Sequence, residues 1–291
     1  MRLLAKELRF LEDRAYQIRR LSLEMITCGQ WGHPGGSLSA ADIMSVLFFN
    51  ILRLDPKNPE WHERDRFILS KAHCSPALYA SLALRGFFPI DDLYSYCQIG
   101  GIEGHTDMRR TKGVDSSGGS LGMGLSIAVG LAWGLRHSEI QKARVYCMIG
   151  DGESNSGNLW EAAMSASHFH LDNLITILDY NKVMAKGFVW DEMGIEPVRK
   201  KWEAFGWDVL EIDGHDIEEI HSSLYKAHWV MPHGKPIMII ANTVKGRGIE
   251  ETEFNYKWHT QHPSPEEADR MLRDLAVRYD KPVQGYSRLK P

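Results

Sequence analysis

Two polar residues in this sequence have the types and the setting of a metal site. Asp151 lies in the turn Gly150-Asp151-Gly152, directly after an apolar run, and Asn181 follows a second apolar run over residues 174–178. The stretch between them has helical periodicity, so this order predicts strand, turn, helix, strand and turn. Because both strands of such a unit end at the same edge of a parallel sheet, we expect Asp151 and Asn181 to converge there.

The chemistry expected at that edge depends on oxygen ligands and on glycine. A carboxylate, an amide oxygen and a nearby backbone carbonyl are hard donors of the kind that bind Mg2+ or Ca2+. Gly150 and Gly152 allow the backbone to come close to a phosphate group. The sequence therefore predicts a divalent cation that carries a phosphate compound.

Four histidines lie in glycine- or serine-rich segments or after expected strands: His33, His73, His105 and His259. Reactive groups often lie on such loops, although a single histidine is more often structural. None of the four has the spacing of a zinc site. We expect them to polarise a sugar hydroxyl or carbonyl, or to bind phosphate, and a structural role is the alternative.

Two further segments could hold an anion. The run Gly118-Gly119-Ser120-Leu121-Gly122-Met123-Gly124 precedes an expected helix, whose first backbone amides could bind a phosphate. A dinucleotide-binding motif would need a third glycine where Ile127 stands, so that interpretation is disfavoured. The segment Thr243-Val244-Lys245-Gly246-Arg247-Gly248 follows an expected strand and places two cations among glycines. A flexible loop and a solvated basic turn are the respective alternatives.

Helices and strands are expected to alternate along the whole chain. The expected helices cover about 1–28, 40–50, 76–85, 125–136, 159–168, 196–205, 216–228 and 265–277, and the expected strands cover 66–70, 145–149, 174–178, 207–212 and 236–241. Residues 98–122 are rich in glycine and serine, which predicts an irregular segment. The alternation predicts an α/β fold with a mostly parallel sheet and helices on both faces. Without a break in composition, residues 1–291 are expected to form one domain with a C-terminal tail over about 263–291.

Composition and charge narrow the class of protein. Of the 291 residues, 43% are hydrophobic and 25% are charged, as is usual for globular proteins. The net charge of −4 provides no general attraction to nucleic acid or to an anionic membrane. The four cysteines lack paired CxxC spacing, the first residues lack a signal-peptide core, and no apolar run approaches the length of a membrane span. We therefore expect a cytoplasmic protein.

Taken together and in this order, the motifs resemble the N-terminal half of a transketolase. The resemblance covers residues 29–259, which is nearly the whole chain. A single motif of this kind is weak evidence, whereas the ordered set is specific. The matching segments are Gly32-His33-Pro34-Gly35-Gly36-Ser37, Asp65-Arg66-Phe67-Ile68-Leu69-Ser70-Lys71-Ala72-His73, Gly119-Ser120-Leu121-Gly122-Met123-Gly124, Gly150-Asp151-Gly152-Glu153 with Asn181, Asp213-Gly214-His215-Asp216, Thr243-Val244-Lys245-Gly246-Arg247-Gly248, and Trp258-His259.

The resemblance implies a thiamine diphosphate-binding fold of the diphosphate-binding type, and it implies a role for each matching residue. The divalent metal, Mg2+ or Ca2+, would be held by the side chains of Asp151 and Asn181 and by the Val183 carbonyl. The cofactor would be contacted by His73, Gly119, Ser120, Leu121, Gly152, Glu153, Asn181, Lys245 and His259. The sugar would be faced by His33, His105 and His259, which would assist proton transfers. The implied reaction transfers a two-carbon ketol unit from a ketose or ketose phosphate to an aldose or aldose phosphate.

Two departures from the family pattern affect the interpretation. Ser156 stands where the family usually has a glutamate that helps to link two cofactor sites, which puts communication between sites in doubt. A whole transketolase is also longer and continues into a pyrimidine-binding domain. We therefore expect a split enzyme with an α2β2 assembly. This chain would be its diphosphate-binding subunit, and a separate C-terminal subunit would supply the pyrimidine-binding domain.

Two alternatives accompany this interpretation. The chain could be the diphosphate-binding α subunit of another thiamine enzyme, of the 2-oxo acid dehydrogenase type, although Gly-His-Pro-Gly and Trp258-His259 are not expected there. It could also be a non-catalytic regulatory domain. The presence of every expected metal ligand and loop histidine argues against that second alternative. The sequence does not specify which sugars are donor and acceptor.

Overall fold

The apolar runs of this chain form one parallel sheet. The computed structural model describes residues 3–140, 142–231 and 233–283, and within them the sheet has five strands in the order β1-β2-β3-β5-β4. Every neighbouring pair is parallel. The mostly parallel α/β sheet predicted from the sequence is therefore confirmed. The strands are β1 (Arg66–Leu69), β2 (Val145–Gly150), β3 (Leu174–Tyr180), β4 (Asp208–Asp213) and β5 (Ile237–Asn242).

Helices connect these strands and cover both faces of the sheet. In chain order they are α1 (Ala5–Gly29), α2 (Pro34–Ser39), α3 (Ala41–Val46), α4 (Ser75–Arg85), α5 (Met123–Arg136), α6 (Gly157–His168), α7 (Val189–Glu192), α8 (Val198–Ala204), α9 (Ile217–Trp229) and α10 (Pro265–Arg278). Residues 96–122 contain neither helix nor strand, as expected for the irregular segment. None of the helices in the described residues is both long enough and apolar enough to cross a membrane.

Each face of the sheet has its own apolar core. In β2, Tyr146 and Met148 join the core beneath α1, α3, α4 and α9, whereas Cys147 and Ile149 join the core beneath α5, α6 and α8. A strand that is buried on both faces has no polar alternation, which is why β2 and β3 are continuous apolar runs in the sequence. The parallel order brings the carboxyl ends of all the described strands to one edge, which we call the carboxyl edge.

Two regions differ in detail from the sequence expectations. The segment that begins at His33 was expected to be a loop, but Pro34 starts helix α2, because proline is favoured at the first position of a helix. The helix expected over 40–50 is α3 followed by a π-helical turn, Leu47–Ile51. The short helix α7 was not expected. The extended end expected after α10 lies partly outside the described residues.

Candidate cofactor and active site

The turn after β2 directly contacts the turn after β3. Asp151 is 4% exposed, and its Oδ1 accepts a hydrogen bond of 2.7 Å from the Gly152 amide. Its Oδ2 accepts a second hydrogen bond, also of 2.7 Å, from the amide of Lys182, the residue after Asn181. In the sheet below, Gly150 pairs with Asp179. Asp151 and Asn181 therefore lie side by side at the carboxyl edge.

Asn181 and Val183 add two more oxygen donors at the same place. The side-chain amide of Asn181 donates to Asp179 Oδ2 at 3.3 Å and to Ser39 Oγ at 3.4 Å. Its Oδ1 accepts a hydrogen bond of 3.3 Å from the Val183 amide. The three residues thus bring together a carboxylate, an amide oxygen and the Val183 carbonyl, which is the ligand chemistry that Mg2+ and Ca2+ prefer.

The electrostatics around Asp151 fit a divalent cation. Burial, reinforced by the nearby charge of Asp179, raises the pKa of Asp151 to about 6. Among the described residues, no lysine, arginine or histidine forms an ion pair with this carboxylate, which accepts only backbone N–H groups. The described residues also contain no group of three or more His, Cys, Asp or Glu side chains that could hold a metal. A cation here would therefore use amide, carbonyl and phosphate oxygens beside Asp151.

Lys245, in the turn after β5, is the cation nearest to these donors. Its Nζ donates to the Val183 carbonyl at 2.8 Å and to the Met184 carbonyl at 2.9 Å, and lies 3.0 Å from His259 Nδ1. Burial lowers the pKa of this lysine to about 8. Its side chain packs against Gly35, where an added Cβ would lie 2.9 Å from Lys245 Cε. The buried ammonium is suited to an anionic ligand beside the metal.

The four loop histidines meet above this edge. The ring centroid of His33 lies 5.0 Å from that of His73, 5.3 Å from that of His259 and 6.3 Å from that of His105. The rings of His73 and His259 are 5.4 Å apart. Trp31 contacts the cluster, with its ring 5.1 Å from that of His33. Residues from four separate loops therefore line one site.

These histidines are neutral at neutral pH. Burial, together with His105 and Lys245, lowers the pKa of His33 to about 4, and burial together with Lys245 lowers that of His259 to about 3. Since His259 Nδ1 faces the Lys245 ammonium, it accepts, and Nε2 carries the hydrogen. Among the described residues, His33 Nδ1 is a buried atom without a hydrogen-bond partner. Buried polar atoms are rarely left unpaired, so this nitrogen is available to a ligand.

The glycine-rich segment lies beside the histidines. Gly119 has a φ of 147°, and a Cβ added to it would lie 3.7 Å from His105 Cδ2. Ser120 is exposed, as is Leu121, which is 48% exposed. With Ser70, this segment lines a cavity of about 290 Å3.

Glu153 connects the glycine segment to the Asp151 turn. Its buried carboxylate accepts hydrogen bonds from the Ser70 hydroxyl, from the Gly122 amide at 2.7 Å and from the Gly150 amide at 3.0 Å. Because protein groups donate to both of its oxygens, Glu153 holds the two loops together. Ser156 lies at the start of α6, and its Oγ would lie 2.2 Å from a Cβ added to Gly122, so this turn needs glycine.

A buried polar cluster lies beneath Asn181 and was not expected from the sequence. The Asp179 carboxylate accepts from the Lys71 ammonium, from the Thr243 hydroxyl and from Ser39 Oγ, the last at 2.6 Å. Lys71 and Thr243 lie within motifs that were recognised. The sequence did contain a signal for this cluster: the charged residue Asp179 lies at the end of an apolar strand, and Lys71 lies directly after another strand.

This combination of fold and site agrees with comparisons to known proteins. The family model described as "Transketolase, thiamine diphosphate binding domain" matches residues 12–282. The chain belongs to the transketolase family. It is 46% identical over 250 residues to the 6-deoxy-6-sulfo-D-fructose transketolase subunit of Clostridium sp. (strain MSTE9), a match that covers 86% of this chain and 90% of that protein. It is 34% identical over 272 residues to an apulose-4-phosphate transketolase subunit of Phocaeicola vulgatus, covering 93% and 95% of the two chains.

Solved transketolases share the fold but are longer. The Leishmania mexicana transketolase superposes with a TM-score of 0.88 at 29% identity, and the match covers 95% of this chain and 42% of that one. The Campylobacter jejuni transketolase superposes with a TM-score of 0.86 at 33% identity, covering 96% and 44%. The chain therefore spans less than half of these transketolases. It corresponds to the N-terminal subunit of a two-chain transketolase.

Proposed function

We propose that this transketolase subunit binds thiamine diphosphate with Mg2+ (or Ca2+) and, with a pyrimidine-binding partner chain, transfers a two-carbon ketol unit from a ketose to an aldose. The observation that carries the proposal is the convergence of three hard oxygen donors, a buried lysine and neutral histidines at the carboxyl edge. Asp151, Asn181 and the Val183 carbonyl would hold the metal. Among the described residues, Asp151 has no ion-pair partner and accepts only backbone amides, which supports this assignment.

The residues around the metal would hold the rest of the cofactor. Lys245 and His73 would contact the diphosphate, with the Gly152 backbone beside it. Gly119, Ser120 and Leu121 would line the ring, and the first two of these also line the 290 Å3 cavity. Glu153 would contribute indirectly, because it holds the amides of Gly122 and Gly150 in place.

When bound, the cofactor supplies the electron sink for cleavage of the ketose and for addition to the aldose. The chain's own groups would orient the sugar and move protons. His259 would donate from Nε2, since its Nδ1 is occupied by Lys245. His33 would use its unpaired Nδ1, and His105 would complete the sugar-facing wall. Neutral histidines suit this task because each can donate one hydrogen bond and accept another.

The surface of α5 supports a partner chain. No charged residue occurs between Met123 and Leu135, yet Met123 and Trp133 are 46% and 44% exposed. A Cβ added to Gly130 or Gly134 would meet no atom within 4 Å, so another chain could approach this helix closely. Helix α5 continues directly from the segment expected to line the cofactor. We therefore propose that the chain packed against α5 is the C-terminal, pyrimidine-binding chain of an α2β2 assembly.

The substrates are proposed by similarity alone. The names of the two subunits compared above refer to 6-deoxy-6-sulfo-D-fructose and to apulose-4-phosphate, both of which are sugars with an anionic group. We therefore propose a sulfonated or phosphorylated ketose as donor and an aldose, or its phosphate, as acceptor. The proposed compartment is the cytoplasm.

The test is co-expression of this chain with the protein encoded next to it, followed by binding and activity measurements on the purified complex. Calorimetry should show thiamine diphosphate binding that depends on Mg2+ or Ca2+. A panel of ketose donors and aldose acceptors should then reveal transfer of a two-carbon unit. Binding of the cofactor without any metal dependence, or an assembled complex that transfers no ketol unit from any anionic ketose, would contradict the proposal.

A further inference from the structure

The carboxylate of Asp179 receives an unusual number of hydrogen-bond donors. It lies at the end of β3 and is fully buried. Its Oδ2 accepts from the Lys71 ammonium, from Ser39 Oγ at 2.6 Å and from Asn181 Nδ2 at 3.3 Å. Its Oδ1 accepts from the Thr243 hydroxyl. The carboxylate is therefore saturated by donors from four different segments of the chain.

Lys71 is fixed as firmly as its partner. Its side chain is 2% exposed, and its Nζ also donates to the Gly36 carbonyl at 3.1 Å. A buried ion pair gains little net stability, because removing both charges from water costs about as much as their attraction returns. Stability alone therefore explains this pair poorly, and its position under the site suggests a different use.

The neighbour that the pair controls is Asn181. An asparagine amide can present either its oxygen or its nitrogen in a given direction, and only the oxygen can bind a metal. Here Nδ2 is directed at Asp179 Oδ2 and at Ser39 Oγ, whose own hydrogen is used toward Asp179. The amide oxygen must consequently face the opposite way, toward the Val183 amide and the metal donors.

We propose that Asp179, held by Lys71, is a positioning residue that fixes Asn181 as an oxygen ligand of the divalent cation, and that Mg2+ binding depends on this positioning more strongly than Ca2+ binding does. The inference rests on the proposed function. Mg2+ requires near-ideal octahedral geometry at about 2.0–2.1 Å, whereas Ca2+ accepts variable geometry at about 2.3–2.6 Å. A ligand that is free to rotate or flip therefore harms Mg2+ binding more than Ca2+ binding.

The decisive measurement is a metal titration of the assembled two-chain enzyme in excess thiamine diphosphate, first with Mg2+ and then with Ca2+. Asp179→Asn keeps the size of the side chain but places an amide against Lys71 and Asn181. We expect its Mg2+ affinity to fall about tenfold or more, as for other groups that orient metal ligands. Its Ca2+ affinity should fall less than about threefold. The readout is the ratio of the two affinities, which a general loss of stability does not change.

A matched pair of variants covers the case in which Asp179→Asn fails to fold. Ser39→Ala removes a group that contacts both Asp179 and Asn181, whereas Thr243→Val removes one that contacts Asp179 on its other oxygen. We expect Ser39→Ala to shift the Mg2+ to Ca2+ ratio and Thr243→Val to shift it less. Asp65 is a fully buried carboxylate at the opposite edge of the sheet, and its substitution Asp65→Asn should leave the ratio of Mg2+ to Ca2+ affinity unchanged.

The outcomes separate this inference from the function on which it rests. If Asp179→Asn and Ser39→Ala weaken both metals equally, or lower only the unfolding temperature, the positioning role is wrong and the proposed function still stands. If the unmodified complex shows no metal-dependent cofactor binding, the proposed function itself fails. A shifted ratio in Ser39→Ala, with the ratios of Thr243→Val and Asp65→Asn near that of the unmodified enzyme, supports the inference.

Discussion

The two edges of the sheet each hold a buried aspartate, and the two are partnered differently. At the amino edge, before β1, Asp65 accepts hydrogen bonds of 2.8 Å from the amides of Arg53 and Arg144, and the Arg53 guanidinium lies 3.7 Å away. At the carboxyl edge, Asp151 also accepts two amides but has no ion pair among the described residues. Burial raises the pKa of both. The difference is that Asp65 has an arginine within ion-pair distance, whereas Asp151 is influenced by the Lys245 charge without forming an ion pair among the described residues.

The histidines at the two edges show the same contrast. His228 is buried toward the amino edge, and its Nδ1 shares a hydrogen bond of 2.6 Å with the Tyr146 hydroxyl. His33 at the carboxyl edge is also largely buried, but its Nδ1 has no partner within the described chain. A buried polar group that is satisfied holds the fold together, whereas one without a partner calls for an explanation, which a ligand would supply at this site. Residue type alone does not distinguish the two.

The largest expected effect comes from truncating the two aspartates. Asp151→Ala should weaken metal-dependent thiamine diphosphate binding by the assembled enzyme by at least about 100-fold, because it removes the carboxylate ligand of the metal. The fold should persist, because the cost of leaving the Gly152 and Lys182 amides without an acceptor is offset by the removal of a buried charge that lacks an ion pair. Calorimetry of the cofactor with Mg2+ and thermal unfolding measure the two effects.

Asp65→Ala is the matched control and should behave in the opposite way. It leaves the amides of Arg53 and Arg144 without acceptors and also removes the carboxylate beside the Arg53 guanidinium, so we expect a loss of about 2–4 kcal/mol in the free energy of unfolding. Cofactor affinity of the folded fraction should be unchanged. Unaltered cofactor affinity in Asp151→Ala would show that the metal assignment is wrong.

A smaller effect is expected from the histidines. His33→Ala should slow ketol transfer about 100-fold in kcat/KM, within the usual range for a residue that assists proton transfer. Cofactor affinity should stay within about threefold, because His33 is assigned to the sugar. Steady-state kinetics and cofactor titration on the same preparation provide both numbers.

His228→Ala is the control for the other edge. It leaves the Tyr146 hydroxyl buried without its partner, which should cost about 1–3 kcal/mol of stability and leave kcat/KM unchanged. If His33→Ala lowers cofactor affinity and transfer rate in parallel, then His33 binds the cofactor and not the sugar.

Much of the fold and part of the site could be predicted from local sequence patterns. The apolar runs of β2 and β3 identify buried parallel strands, and parallel connection then requires their ends to share an edge. That reasoning alone brings Asp151 next to Asn181. The four loop histidines could be recognised as candidates from their glycine-rich surroundings, although their roles came from the family resemblance.

The remainder depends on contacts between distant residues, which local patterns do not encode. Lys71 and Asp179 are 108 positions apart, and nothing near either residue indicates that they pair. Glu153 was expected at the cofactor, yet its carboxylate is turned toward the amides of Gly122 and Gly150 because the loops that carry them pack around it. The helical start at Pro34 was missed because the glycines beside it suggested a loop.

The smallest expected effect is a pH dependence that separates the two edges. Burial lowers the pKa of His33, His228 and His259 to about 4, 4 and 3, whereas unfolded histidines titrate near about 6.5. Between these values the unfolded chain binds more protons, so stability falls as the pH falls from about 6.5 toward 4, by at most about 1.4 kcal/mol per pH unit per histidine. In the proposed site the diphosphate lies beside His259 but not beside His228, so its negative charge would raise the pKa of His259 only. A bound metal would also keep Asp151 deprotonated, which steepens the slope equally in every histidine variant. The test is therefore the change in slope caused by Mg2+ and thiamine diphosphate, measured by chemical denaturation in His259→Gln and in His228→Gln. The change should be more positive in His259→Gln than in the unmodified enzyme and unaltered in His228→Gln, and equal changes in all three proteins would place the diphosphate away from His259.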